Sequence, residues 1–525
     1  MQATADTGPA DRGPESASLA QGARPNPVPL VEGNTMDIPA RIRAMAAILP
    51  AKPALTDGET RLDAAAMALG MDQVAAALIA RGLRPGDVIG TIAGLSADHL
   101  MIHLGAMALG ATIVPLQPTA HPDALSLMLQ NCPPRLLLTD ADCQVRTGAD
   151  QARIADLMRE AAALPPRPAM PIPPETLVEI LYSSGTTGTP KGIAHEMCFR
   201  LTQILRFGSL GFGPEGRLLI STPLYSNTTL SALIPGIALG MQIVILRKFD
   251  ARTFLAMIES QRITHSMMVP VQIRRVLAHP EFDRFDLSSH QRVLSTSAPL
   301  TPAIMQEMAR RWPGGLTNVF GMTEGGIATV LNCDQTPDKL HTVGRPGPTA
   351  KIVVLDAGGK VLPQGETGEI AGRSGAMMRG YVGDAEKTRA TIWTSPEGEH
   401  FIRSGDMGFL DQDGYLVLLD RQKDMIISGG FNIYPVDLEA AISADPAIAE
   451  CSVIGLPSEE WGETPVAWVV LRPGHSATAG QILHEANSRL GRYQHLTAVR
   501  FIDRLPRSEI GKVLKTELRK LWQED

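Results

Sequence analysis

The 525-residue chain has little cysteine: Cys132, Cys143, Cys198, Cys333 and Cys451. No two form a C-x-x-C pair, which argues against zinc and against a disulfide framework, and the expected state is reduced thiols in a cytoplasmic protein. An excess of positive charge is also missing. Forty-eight Lys and Arg against 55 Asp and Glu give a net charge of −7, whereas nucleic acid as a main partner requires a positive field. No apolar signal-peptide core stands at the N-terminus. Residues 1–34 are rich in Ala, Pro and Gly and read as a disordered or loosely docked extension. No membrane span is expected either. One uncharged stretch, residues 218–246, is long enough to cross, but Pro223, Asn227, Thr228, Thr229 and Pro235 interrupt it. It reads as strand, helix and strand inside a buried layer.

What is present is a chain too long for one core, so more than one domain is expected. Apolar β-like runs alternate with helical patterns, as in α/β folds. Residues 106–114 (AMALGATIV) echo residues 236–244 (GIALGMQIV). Each reads as a helix end, a glycine stop and a buried strand, and together they predict two similar α/β subdomains. After about residue 345 the composition shifts. Residues 353–362 look like a hairpin turning at Gly358-Gly359, and residues 365–370 and 411–419 look like further short strands. Beyond a boundary at residues 420–424, the pattern gives a helix over 435–444 and strands over 449–455 and 466–471. The expected fold class is α/β. A large N-terminal domain (35–420) holds two α/β subdomains and a small β-rich one, and a small α+β C-terminal domain (421–525) follows.

The densest chemistry is Ser183-Ser184-Gly185-Thr186-Thr187-Gly188-Thr189-Pro190-Lys191-Gly192, with five hydroxyls, three glycines and a lysine. Glycine lets backbone approach a ligand closely. Successive N–H groups with hydroxyl donors then form a concave anion site. The apolar run 177–182 reads as the strand that delivers this loop. No Lys-Ser or Lys-Thr follows a glycine at the Walker A offset. A flexible surface turn is the bland alternative.

This string resembles the phosphate loop of the adenylate-forming superfamily: acyl- and aryl-CoA ligases, peptide-synthetase adenylation domains and beetle luciferases. The resemblance continues in family order over roughly residues 35–525, and extends to 4-coumarate/feruloyl-type and fatty-acyl-CoA ligases. It implies that Ser183, Ser184, Gly185, Thr186, Thr187 and Gly188 hold the ATP phosphates and that Lys191 acts with them. Activating a carboxylate with ATP brings one anion against another, so a metal, a cation and oriented N–H groups are needed. Residues 318–324 resemble the family's Tyr-Gly-x-Thr-Glu segment. Phe320 would stack on adenine beside Gly321 and Met322, Thr323 would contact the α-phosphate, and Glu324 would hold Mg²⁺. The alternative is a helix N-cap at Thr323. Residues 295–300 stand at the family's small-residue wall, which puts Ser297, Ala298 and Pro299 beside the nucleotide.

Arg403-Ser404-Gly405-Asp406 resembles the Thr-Gly-Asp signature, which places Asp406 on the ribose hydroxyls; a turn aspartate is the alternative. Residues 420–424 resemble the Arg-x-Lys-Asp hinge, with Arg421 reaching ribose or phosphate and Lys423 as pivot. Gly429 and Gly430 would line the pantetheine tunnel of coenzyme A. Residues 505–512 resemble the Pro-x-x-x-x-Gly-Lys motif, in which Lys512 bridges the acid and the α-phosphate. A solvated charge is the usual fate of a lysine near a chain end. Lys512 and Gly430 serve different half-reactions from one small domain, so the resemblance implies a mobile C-terminal domain.

Residues 223–229 stand where acyl-CoA ligases have Pro-x-Phe-His and amino-acid adenylation domains have Phe-Asp. Ser226 carries no charge for an α-ammonium, which argues against an amino acid, and it departs from the ligase histidine. Tyr225 then becomes the gate aromatic. Met197 replaces another family histidine, and a structural role is expected for His195. Met267, Met268, Val269, Val271 and Ile273 are expected along one apolar wall. Tyr225, Asn227 and Thr229 could bind a phenolic hydroxyl, which tilts the reading from a medium- or long-chain fatty acid towards an aryl or phenylpropanoid acid. The expected reaction joins a small carboxylic acid to CoA with ATP, yielding acyl-CoA, AMP and pyrophosphate. Loading of a separate carrier protein and a non-catalytic nucleotide-binding relative stay as alternatives, and a homodimer is left open.

Overall fold

The computed structural model describes residues 25, 36–141, 145, 147–183, 190–347, 349–421, 424–428, 431–458, 461–491, 494–508 and 511–524. The chain forms two compact units. One comprises Met1–Glu215, Pro223–Arg247 and Ala376–Ile392; the other comprises Gly216–Thr222, Lys248–Gly375 and Trp393–Asp525.

The first unit contains a seven-stranded sheet in the order Gly380–Tyr381, Lys191–Glu196, Leu177–Ser183, Thr112–Leu116, Val88–Ile92, Leu136–Thr139, Asp150–Arg153. The strands from Leu177–Ser183 to Asp150–Arg153 run parallel. Strands covered on both faces need continuous apolar sequence, and Val178, Ile180 and Leu181 are buried accordingly. Helix Ala97–Leu109 buries every residue but Asp98, is capped by Ser96, and stops at Gly110 with φ 78°. Helix Asn227–Ala238 stops the same way, with Gly240 also at φ 78°. Both ends close identically: Ala111 N–H donates to Ala106 O at 3.0 Å and Met241 N–H to Gly236 O at 2.9 Å. The echoed segments feed different sheets. Thr112–Leu116 joins the seven-stranded one, and Gln242–Ile245 lies parallel to Pro53–Asp57. The repeat in the sequence therefore marks two α/β layers.

In the second unit, Arg217–Ile220, His265–Met268, Arg292–Ser295 and Gly315–Gly321 lie side by side and parallel. Ala328–Asn332 and Arg345–Pro346 extend them antiparallel. Strands His265–Met268 and Arg292–Ser295 end level, with Met268 opposite Ser295, and Gly315–Gly321 runs on past Asn318, which lies opposite Ser295. Ligands of open α/β sheets bind beyond such carboxyl ends. The β-rich part orders Lys351–Leu355, Gly368–Arg373 and His400–Leu410, and Leu416–Arg421 also pairs with His400–Leu410. The strand expected from residue 411 starts at Leu416 instead. Asp411 Oδ1 accepts the Asp413 and Tyr415 N–H groups at 2.9 and 2.8 Å, so residues 411–415 form a side-chain-closed turn.

The C-terminal segment orders Phe431–Ile433, Ile426–Ser428, Gly462–Leu471 and Ile448–Ser458 in one sheet, with Ala498–Phe501 parallel to Gly462–Leu471. Helices Pro435–Ser443 and Ala479–Ser488 cover it through Leu438, Ile442 and Ile482. This is the α+β arrangement expected. Among the described residues no helix is long and apolar enough to cross a membrane.

Candidate active site

The carboxyl rim of the second unit's parallel strands gathers most of the sequence-predicted residues there. After Arg292–Ser295 the chain passes through Ser297, which holds φ 80°. A non-glycine residue in this region is uncommon and marks a position fixed by its surroundings. Ser295 Oγ beneath it is buried and has no hydrogen-bond partner among the described residues. After Gly315–Gly321, Thr323 and Glu324 are half-buried in the turn leading to Ala328–Asn332, closed by Gly325 N–H on Met322 O at 3.0 Å. No helix begins at Thr323, so the capping alternative does not hold. Phe320 and Met322 pack on Ile327, Ile370 and Leu416, which fixes the aromatic from one side.

Asp406 lies within strand His400–Leu410, directly opposite Arg421 in the register. The two residues expected at the ribose thus meet through antiparallel pairing. The rest of the signature holds Asp406 in place. Asp406 N–H donates to Ser404 Oγ (2.9 Å), and Ser404 Oγ donates to Ile370 O (2.7 Å). Gly405 N–H and Arg403 Nε donate to Glu369 at 3.2 and 2.8 Å.

Lys512 follows a tight turn. Ser508 N–H donates to Lys512 O and Gly511 N–H to Ser508 O, both at 2.8 Å, while Arg507 Nη1 donates to Gly511 O at 2.6 Å. Gly511 has φ 81°, and a Cβ there would stand 2.9 Å from Val271 Cγ1. The turn is therefore pressed onto the start of helix Pro270–Leu277, just past the rim of strand His265–Met268.

In the first unit, Ser183 and Lys191 face each other across the hairpin that flanks the phosphate-loop string. Ser184, Gly185, Thr186, Thr187 and Gly188 lie outside the described residues, as do Lys423, Gly429 and Gly430. Lys191 Nζ sits 5.5 Å from the Tyr381 ring centroid. Tyr225 is half-buried. Ser226 Oγ caps helix Asn227–Ala238 by accepting Thr228 N–H at 3.2 Å. Buried Thr229 donates its hydroxyl to Pro223 O at 2.6 Å, and Asn227 Oδ1 accepts Arg200 Nη1 at 3.0 Å. Arg200 is itself fully buried. Its Nε donates to Glu179 at 2.9 Å, and His103 Nε2 donates to the other carboxylate oxygen at 2.9 Å. Burial alone would raise the Glu179 pKa, but the Arg200 guanidinium and the hydrogen bond from His103 hold it well below the usual carboxylate range.

Residues 42–382 match the family model for the AMP-binding enzyme, and residues 437–512 match the one for the AMP-binding enzyme C-terminal domain. The chain belongs to the AMP-binding enzymes. Indoleacetate–CoA ligase of Aromatoleum aromaticum is 31% identical over 93% of this chain and 98% of its own. A medium/long-chain-fatty-acid–CoA ligase of Mycobacterium tuberculosis is 30% identical over 90% and 88%. The crystal structure of ATP-bound MatB from Rhodopseudomonas palustris superposes with a TM-score of 0.86 at 27% identity, covering 93% of this chain and 99% of that one.

Within this AMP-binding enzyme the fold brings Met268, Ser297, Phe320, Thr323 and the Lys512 turn to one strand-end region, and pairs Asp406 with Arg421 on a neighbouring sheet. Asn227 Oδ1 and the Thr229 hydroxyl proton are engaged inside the fold. The Glu179–Arg200 pair escaped the sequence analysis. Its signal was there: a glutamate in the apolar strand Leu177–Ser183 cannot be buried without a cationic partner.

Proposed function

We propose that this AMP-binding enzyme is an acid–thiol ligase that activates an apolar carboxylic acid with ATP and passes the acyl group to coenzyme A. In the first step a carboxylate oxygen attacks the α-phosphorus and pyrophosphate leaves, giving the acyl-adenylate. In the second, the CoA sulfur, its proton lost to solvent, attacks the acyl carbonyl carbon and AMP leaves. The observation that carries the reading is the seating of the Lys512 turn against Val271, beside the strand ends that bear Ser297 and Thr323. Lys512 bridges the acid and the α-phosphate, Thr323 donates to that phosphate, and Phe320 supports adenine with Gly321, Met322, Ala298 and Pro299 around it. Asp406 and Arg421 take the ribose. Ser183, Lys191 and residues 184–188 take the phosphates. Glu324 has the hard oxygen donors suited to Mg²⁺ beside phosphate oxygens. When bound, that ion would offset the charge of the phosphates.

The acid is of the aryl or medium/long-chain fatty type. Both classes appear in the names of the relatives, and the expected wall of Met267, Met268 and Val269 offers no charge. Tyr225 closes the acyl side. Residues 421–525 pivot at Lys423, so that Gly429 and Gly430 open the path of the thiol in the second step. Cys132, Cys198, Cys333 and Cys451 form no disulfide with one another, and we place the enzyme in a reducing, cytoplasmic setting. Lys512→Ala should lower pyrophosphate release at least ~100-fold and leave thioester formation from supplied acyl-adenylate intact. Equal loss in both half-reactions would refute the assignment.

A further inference from the structure

Glu450 lies on strand Ile448–Ser458, and its two carboxylate oxygens serve different parts of the second unit. Oε1 forms an ion pair with Arg274 Nη2 at 2.8 Å, and Arg274 belongs to helix Pro270–Leu277. Oε2 accepts from Arg507 Nη2 at 2.8 Å. Arg507 uses its other terminal nitrogen to hold Gly511 O, the residue before Lys512. One carboxylate thus joins the helix that bears Val271 to the arginine that shapes the lysine turn. The three side chains are 22–32% exposed. The bridge is therefore sheltered enough to matter yet carries no full burial penalty. Without Glu450 the two guanidinium groups would face each other across the same contact and repel.

We propose that Arg274 and Glu450 are positioning residues for adenylation: their bridge holds the Lys512 turn on the rim during acid activation and opens for acyl transfer. This rests on the adenylation role of Lys512 proposed above. Glu450 and Arg507 both belong to the C-terminal segment, so their bond persists if residues 421–525 turn as a body. The Arg274–Glu450 bond crosses to the preceding segment and must break in such a turn. It therefore biases the first half-reaction alone.

The test uses the full chain and measures the half-reactions separately: single-turnover pyrophosphate release, and thioester formation from supplied acyl-adenylate and CoA. Arg274→Gln should slow the first about five- to tenfold, the factor of a partly sheltered ion pair, and leave the second unchanged or faster. Arg274→Lys should recover part of the loss. Adding Arg274→Gln to Glu450→Gln should cost nothing further in adenylation. Equal slowing of both half-reactions, or an additive double variant, would overturn the proposal. So would unchanged adenylation in Arg274→Gln, with Lys512→Ala still inactive in that step. If Lys512→Ala itself keeps adenylating, the functional reading fails first, and the two failures are thereby told apart.

Discussion

Gly511 does two things that no other residue does at its position. It takes φ 81°, and it leaves room for Val271 at what would be 2.9 Å from a Cβ. An L-residue in the left-handed region costs about 1–2 kcal/mol, so Gly511→Ala should cut adenylation by about tenfold or more. Pairing it with Val271→Ala should restore the part owed to the contact and not the part owed to φ; pyrophosphate release reads both. A second residue-scale prediction concerns pH. His99 is held neutral by burial, which pulls its pKa to about 4; its ring donates to Gly94 O and accepts from Thr91 Oγ1, each at 2.9 Å. In the unfolded chain it titrates near ~6.5. Its stabilising share is therefore present above ~6.5 and is lost as pH falls towards about 4, by up to ~1.4 kcal/mol per pH unit. His99→Gln should flatten the fall of unfolding free energy over that window. An unchanged slope would remove His99 from the account. Single residues were also where the sequence was least legible. Thr323-Glu324 has the same composition in a helix cap and in a hairpin turn. The partner of Asn227 lies 27 positions away in the chain.

Elements were easier to read where a local physical stop coincides with a sequence sign. Gly110 and Gly240 end their helices in left-handed turns with matching bonds, and both stops were visible as glycine after an apolar helical run. The start of strand Leu416–Arg421 was not visible, because the Asp411 carboxylate competes for backbone N–H groups that a strand would use. The pairing of Asp406 with Arg421 follows from a register that no local pattern reveals. At this scale the strand Leu177–Ser183 depends on Arg200. Arg200→Met leaves Glu179 buried without its guanidinium partner, and should destabilise the first unit by about 3–5 kcal/mol. The double variant with Glu179→Gln should recover most of it. Chemical unfolding of the two variants decides; a single variant no worse than the double would mean the pair carries no net burial penalty.

Across the whole molecule, the candidate residues span from Ser183 to Lys512, and the family motifs could be found in order without any knowledge of contacts. What the order could not give was proximity: that the Lys512 turn rests on Val271 and that Glu450 ties Arg274 to Arg507. The acid class was the least legible part. It depends on which polar atoms remain for a ligand, and Asn227 and Thr229 proved to be engaged internally. The central claim is ATP-dependent transfer of an apolar acid to CoA. Its most direct test is pyrophosphate release by the purified full chain with ATP and Mg²⁺. The acid panel would span aryl, phenylpropanoid, medium-chain, long-chain and amino acids, each with and without CoA. The account expects turnover with one apolar acid class, rising with CoA, and none with amino acids. Turnover confined to an α-amino acid, or a single burst indifferent to CoA, would contradict it.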